Sequence, residues 1–253
     1  MQKIKLLNIL LVLISIWALT QCNPNQEANN EEQIPVTAND FINKSIAYHD
    51  PENHWSSYEV KVNNHIEMAD TTLPRVERSI FLNNAKGIFS VNATIDGHDF
   101  NATVKPDTSY VTWGKPDPTK QDSLRYGLDG SGAQRMYNYH RYLQGIPMVL
   151  KDEGTIVSDS IYTDYIEGKA HKVITVNYLP EGQHPTWQFY INEEDYAVTW
   201  AKFFRLTQQG DSTGEYIKFK SPIVVNGIKR YRTFVWEYLN GKPLATDNYE
   251  FLE

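Results

Sequence analysis

Between residues 57 and 68 the chain alternates, with Tyr58, Val60, Val62, Ile66 and Met68 set against Ser57, Glu59, Lys61, Asn63 and Glu67. A period of two puts one face of a long strand on a core and the other in water. The same alternation, bounded by Gly, Asn, Asp or Pro, predicts strands over 76–82, 88–95, 173–178, 187–191, 196–206 and 228–239. Asn226-Gly227 and Asn240-Gly241 supply the positive φ angles of tight hairpins, so consecutive strands run antiparallel. Helical spacing appears twice. Over 37–48, Thr37 caps with Asp40 three residues on, Phe41, Ile42, Ser45, Ile46 and His49 share a face, and Pro51 stops the helix. Over 132–143, Ala133, Met136, Tyr137, His140 and Leu143 or Gln144 recur at three and four residues before Gly145 and Pro147. The expected fold is mainly β with two or so helices. Bulky amphipathic helices favour an antiparallel sheet curled around them, a half-barrel, over a sandwich with peripheral helices.

The start of the chain follows a different pattern. Lys3 and Lys5 precede an apolar run from Leu6 to Leu19 that ends in Leu19-Thr20-Gln21-Cys22. A bilayer-spanning helix needs roughly 20 apolar residues, so this run has the length of a signal-peptide core. A Leu three residues before a lone Cys resembles a bacterial lipoprotein signal, which implies cleavage after residue 21 and acylation of Cys22. Gln21 departs from the small residue usual there. A single Cys also excludes an intramolecular disulfide. Residues 23–35 are Asn, Gln, Glu and Pro with almost nothing apolar, the composition of a disordered tether. The expected organisation is a signal peptide over 1–21, a tether over 22–35 and one half-barrel domain over 36–253. The expected location is the bacterial cell envelope, lipid-anchored at the outer membrane, with the face left open. The membrane is the expected partner through Cys22.

Charge narrows the partners further. Removal of Lys3 and Lys5 takes 24 basic residues to 22 against 31 acidic, and the formal charge from −7 to −9. A nucleic-acid binder clusters Lys and Arg, whereas the densest basic run here, Lys229-Arg230-Tyr231-Arg232, is short and strand-patterned, so no nucleic acid is expected. Nothing in the sequence fixes an oligomeric state. No catalytic constellation is present: the seven histidines are scattered, there is no HExxH, and Gly130-Ser131-Gly132 lacks a βαβ context. His49-Asp50 reads as structural. A non-enzymatic protein without metal or cofactor is expected.

Aromatic residues make up 13% of the chain, enough to form stripes. Trp187, Phe189 and Ile191, then Tyr196, Val198, Trp200 and Phe204, then Phe234, Trp236 and Tyr238 each alternate onto one face, with Met136, Tyr137 and His140 of the second helix opposite. Such rings are the ordinary filling of a curled sheet, but a half-barrel has a mouth that side chains do not fully close. Trp187-Gln188-Phe189-Tyr190-Ile191-Asn192 with Tyr196-Ala197-Val198 and Phe203-Phe204 resembles the strand-turn-strand of the LolA/LolB-like lipoprotein-carrier superfamily. Ala47-Tyr48-His49-Asp50-Pro51, Trp55, Arg78, Gly87-Ile88-Phe89 and the run from Tyr142 to Met148 resemble a family of bacterial envelope lipoproteins of unknown function within that fold. The resemblance implies a LolA-like half-barrel and a lipid or acyl chain between sheet and helices. The residues it would assign to that ligand are Met136, Tyr137, His140, Trp187, Phe189, Trp200, Phe204, Phe234 and Trp236. The alternative is an interaction or glycan-binding lipoprotein using exposed aromatics. A buried Trp200 and Trp236 favour the first reading, and Trp113 and Trp187 on a flat exposed face favour the second.

Overall fold

Two antiparallel meanders meet in the middle of one sheet. The computed structural model describes residues 36–72, 75–95, 97–180, 184–206 and 212–252, so the expected signal, Cys22 and the tether lie outside the described residues. The first meander is β1 (Glu59–Met68), β2 (Val76–Asn83), β3 (Ile88–Ile95), β4 (His98–Lys105) and β5 (Thr108–Trp113). The second is β6 (Thr155–Ile166), β7 (Lys169–Tyr178), β8 (Thr186–Asn192), β9 (Val198–Leu206), β10 (Ser212–Val225), β11 (Ile228–Tyr238) and β12 (Pro243–Leu252). Because β12 pairs with β1, the described strands form a single antiparallel sheet ordered β5-β4-β3-β2-β1-β12-β11-β10-β9-β8-β7-β6. The edges β5 and β6 do not pair, so the sheet stays open.

The chain passes from one edge to the other through residues 114–154, which carry α2 (Lys120–Tyr126) and α3 (Ser131–Gly145). This crossing explains the curl. Rings on α3 touch Phe89 of β3 through Tyr137 and His140, and Trp187 and Phe189 of β8 through Tyr142. In a flat sheet those strands, seven intervals apart, would be roughly 34 Å apart, far beyond the roughly 10 Å width of a helix. The sheet therefore wraps α3, and one buried cluster joins Val60, Val62, Ile80, Phe89 and Val91 to Phe189, Val198, Ile217, Phe234 and Tyr249. Gly132 lets α2 and α3 approach, since a Cβ there would sit 1.9 Å from the Tyr126 carbonyl oxygen.

The helix α1 (Ala38–His49) begins with the capping box read from the sequence: the Asp40 N–H donates to Thr37 Oγ1 at 3.2 Å while the Thr37 N–H donates to the Asp40 carboxylate at 2.8 Å. Its last residue is a fastener. His49 Nδ1–H donates to the Lys229 carbonyl at 2.9 Å, and the Val198 N–H donates to His49 Nε2 at 3.2 Å, so the neutral ring ties α1 to β9 and β11. Burial pushes its pKa down to about 4. The Asp50 carboxylate accepts the N–H groups of His54 and Trp55 and so caps the short 3-10 turn at Trp55–Ser57.

Several elements escaped the alternation rule. β12 carries Asp247 on its buried side, Gly214 and Pro222 interrupt β10, β6 has a bulge between Val157 and Ile161, and β4 and β5 carry Asn101, Thr103, Thr108 and Thr112 among few large apolar residues. Besides the helices expected at 37–48 and 132–143, the structure has α2, a seven-residue helix with no buried residue that stands on the Thr119–Asp122 capping box and a left-handed Gly127. Such a helix leaves no hydrophobic stripe to read. No described helix is long and apolar enough to cross a membrane.

Candidate functional site

Along α3, successive residues serve different ends. Tyr139 Oη donates to the Asp247 carboxylate at 2.6 Å, Asn64 Nδ2 donates to the same carboxylate, and His140 Nδ1 is hydrogen-bonded to the Tyr249 hydroxyl at 3.0 Å. This buried polar cluster pins the helix to β1 and β12. Burial raises the Asp247 carboxyl, and burial also holds the His140 pKa well below the usual histidine range, so that ring is neutral. At the outer end, the Arg141 guanidinium pairs with the Asp152 carboxylate and lies 5.7 Å from the Trp55 ring, while the Tyr142 and Tyr178 hydroxyls meet each other.

Beside these contacts, residues of α3 and of the sheet together line a cleft of about 670 Å³. Its wall is a chain of rings: Tyr142 to Trp187 at 4.9 Å, Trp187 to Phe203 at 4.8 Å, Phe203 to Trp236 at 6.3 Å and Trp236 to Tyr139 at 6.2 Å. Leu143 and Val149 add apolar surface, and Arg141, Asp152, Glu153 and Glu215 are the ionised groups of the lining. Rings in offset and edge-on contact with a few polar groups suit the apolar body of a ligand with one polar end.

Of the residues expected to line a cavity, Tyr137, Trp187 and Trp236 do so. Phe189 and Phe234 are buried beneath the wall, His140 is locked in the polar cluster, and Met136 packs half-buried against the core. Trp200 and Phe204 are corrections. Ile191 pairs with Val198 but Tyr190 pairs with Trp200, a bulge that adds one residue to β9 and reverses its faces. Val198, Ala201 and Phe203 therefore face the core, whereas Trp200 and Phe204 lie on the outer face under the ammonium groups of Lys218 and Lys202, at 4.8 and 5.0 Å from the ring centroids. The sequence reading missed Phe203, Tyr139, Tyr142, Tyr178 and Glu215. Tyr139 and Tyr142 were legible as helix neighbours of His140; Phe203 was hidden by the bulge. Trp113 is no flat platform, because it stacks on Tyr126 at 5.1 Å and on His98 at 5.0 Å. Replacement of Trp200 by Ala is expected to leave binding of an apolar probe within about twofold of wild type, measured by fluorescence titration, because its ring does not reach the cleft.

A second depression, about 840 Å³, crosses the outer face of β1–β5. Asn63, Ser79, Asn92, Asn101 and Thr112 form a polar row there, with Ser79 donating to Asn63 and Asn101 to Asn92. It is a solvated face.

An open antiparallel sheet curled around a crossing helix, with an aromatic cleft between them, defines a LolA-like half-barrel. The solved structure of a LolA superfamily protein from Nitrosomonas europaea superposes with a TM-score of 0.51 at 13% identity, covering 85% of this chain and 92% of the other. An outer membrane lipoprotein-sorting protein domain from Vibrio parahaemolyticus is similar at a TM-score of 0.42 and 12% identity, covering 84% and 92%. A DUF1329 family protein from Desulfovibrio piger is similar at 0.43 and 10%, covering 85% and 91%. No curated protein sequence matches. Over residues 28–248 the sequence matches DUF6503, a family of unknown function, and the chain belongs to that family.

Proposed function

We propose that this protein is an envelope lipoprotein, anchored through an acylated Cys22, that takes an apolar ligand, a lipid or an acyl chain, into the cleft between α3 and the concave face of its sheet. The observation that carries the reading is the cleft wall, where Tyr142, Trp187, Phe203 and Trp236 line a solvent-connected space of about 670 Å³. That volume is in the range of small-ligand sites. An acyl chain of about ten methylenes gains nominally ~0.8 kcal/mol for each one buried, enough for micromolar affinity after ordering costs. The LolA-like fold supports the concave face as the ligand side. In this reading residues 1–21 are removed, 22–35 tether the domain to the outer membrane, 36–253 carry the cleft, and the protein binds without catalysing. Native mass spectrometry of the intact protein, purified without detergent, tests the ligand: a co-purifying lipid is expected, and repeated preparations of bare protein that also refuse added lipid contradict it.

The anchor has its own test. Cys22→Ser is expected to abolish incorporation of a clickable palmitate analogue in cells, since no other Cys exists in the chain. Equal label on wild type and variant removes the anchor from the proposal. Stable attachment needs more than one acyl chain, as a single fourteen-carbon chain holds only marginally.

A further inference from the structure

Glu215 stands out among the cleft residues. On β10, Glu215, Ile217 and Phe219 alternate onto one face, and Ile217 and Phe219 are in the core. Glu215 occupies the open end of this row, opposite Phe203 of β9 in the ladder, and lines the same cleft as Trp187, Trp236 and Tyr139. A carboxylate on the inward side of a strand normally has a partner, because desolvating an unpaired charge is costly. Among the described residues no hydrogen bond or ion pair reaches the Glu215 carboxylate. Burial holds its pKa above the ordinary glutamate value.

The remaining charges point the same way. Among the described residues Arg141 is the one Lys or Arg in the lining, and its guanidinium is committed to Asp152. Glu153 is exposed and, among the described residues, adds a second negative charge without an ion-pair partner, while His184 is exposed at the lip. An anionic head entering this space meets two unbalanced carboxylates. A cationic head meets a carboxylate set among aromatic rings, which attract ammonium groups through their faces.

We infer that the cleft selects amphiphiles with a positively charged head, an ammonium or quaternary ammonium group on an apolar tail, with Glu215 as the countercharge and Phe203 and Trp236 as neighbouring rings. This selectivity rests on the ligand-binding reading above. Isothermal titration of the intact chain with octyltrimethylammonium, octanoate and octyl glucoside separates the two. The trimethylammonium compound is expected to bind about tenfold more tightly than octanoate. Glu215→Gln, nearly isosteric and checked for an unchanged unfolding temperature, is expected to weaken the trimethylammonium compound about tenfold and leave octyl glucoside unchanged. If octanoate binds as well as the cation, or the glutamine variant keeps the cation's advantage, the charge selectivity is overturned while the apolar site stands. If none of the three binds, both the selectivity and the ligand-binding reading fail. Should the variant not fold, the cation-to-octanoate ratio of the wild-type chain decides alone.

Discussion

Replacing Phe189 with Ala is expected to lower stability by about 3–5 kcal/mol. The ring has no solvent exposure, stacks on Trp187 at 5.8 Å with an interplanar angle of 5°, and lies 6.5 Å from Tyr142 of α3. Ile174 and Ala201 flank it on the neighbouring strands, both fully buried. Truncation therefore removes contacts on all sides at the place where sheet and crossing helix meet, and rigid neighbours leave a cavity they do not fill. Urea denaturation measures the loss. A value below about 1 kcal/mol would mean that Phe189 lines an open space, and the boundary drawn here between core and cleft would move one layer inward.

Acid should weaken the fold before the carboxylates titrate. His49 is neutral in the folded chain, with its pKa pushed down by burial to about 4. In the unfolded chain it titrates near 6.5, so between those values the unfolded state binds the extra proton and stability falls as pH falls. The full loss from His49 alone is about 3 kcal/mol, developing from about pH 6.5 down to about pH 4. His140 is depressed by burial in the same direction and steepens the slope. Asp247 opposes them, because its raised carboxyl takes up a proton more readily in the folded state. Asp40, Asp70, Asp122 and Asp129 are lowered by hydrogen bonds to neighbouring Thr and Ser, so their contribution to stability is lost only at lower pH. Unfolding in urea at pH 7 and at pH 4.5 reads the sum. A stability that is flat or rises over that interval contradicts the buried neutral histidines.

The sequence was legible where the core-facing side of a strand is mostly apolar. β1, β3, β8 and β11 have that character, despite the buried Asn64 of β1 and Arg230 of β11, and their ends fall within a residue or two of the alternating runs. It was less legible where a buried position is polar, as with Asp247 in β12, whose carboxylate accepts hydrogen bonds from Tyr139 of α3 and Asn64 of β1. No local pattern reveals a partner more than a hundred residues away. The cleft was half legible for a different reason. Trp187 and Trp236 follow from strict alternation, but one extra residue in β9 turns Trp200 and Phe204 outward and brings Phe203 in. A bulge is fixed by how two strands pair, so a single strand read alone carries the wrong parity beyond it. Glu215 was passed over because Gly214 and Pro222 interrupt β10, so no strand was read there and Glu215 was given no face. Its ladder position opposite Phe203 corrects that.

The central claim is that the ring-lined cleft under α3, and not the aromatic outer face, receives an apolar ligand. Titration of the intact chain with the neutral probe N-phenyl-1-naphthylamine tests it most directly, comparing wild type with Trp187→Ala and Trp200→Ala. Micromolar binding to wild type, weakened at least tenfold by Trp187→Ala and unchanged by Trp200→Ala, is the predicted result. No binding to wild type, or the larger loss in Trp200→Ala, would contradict it.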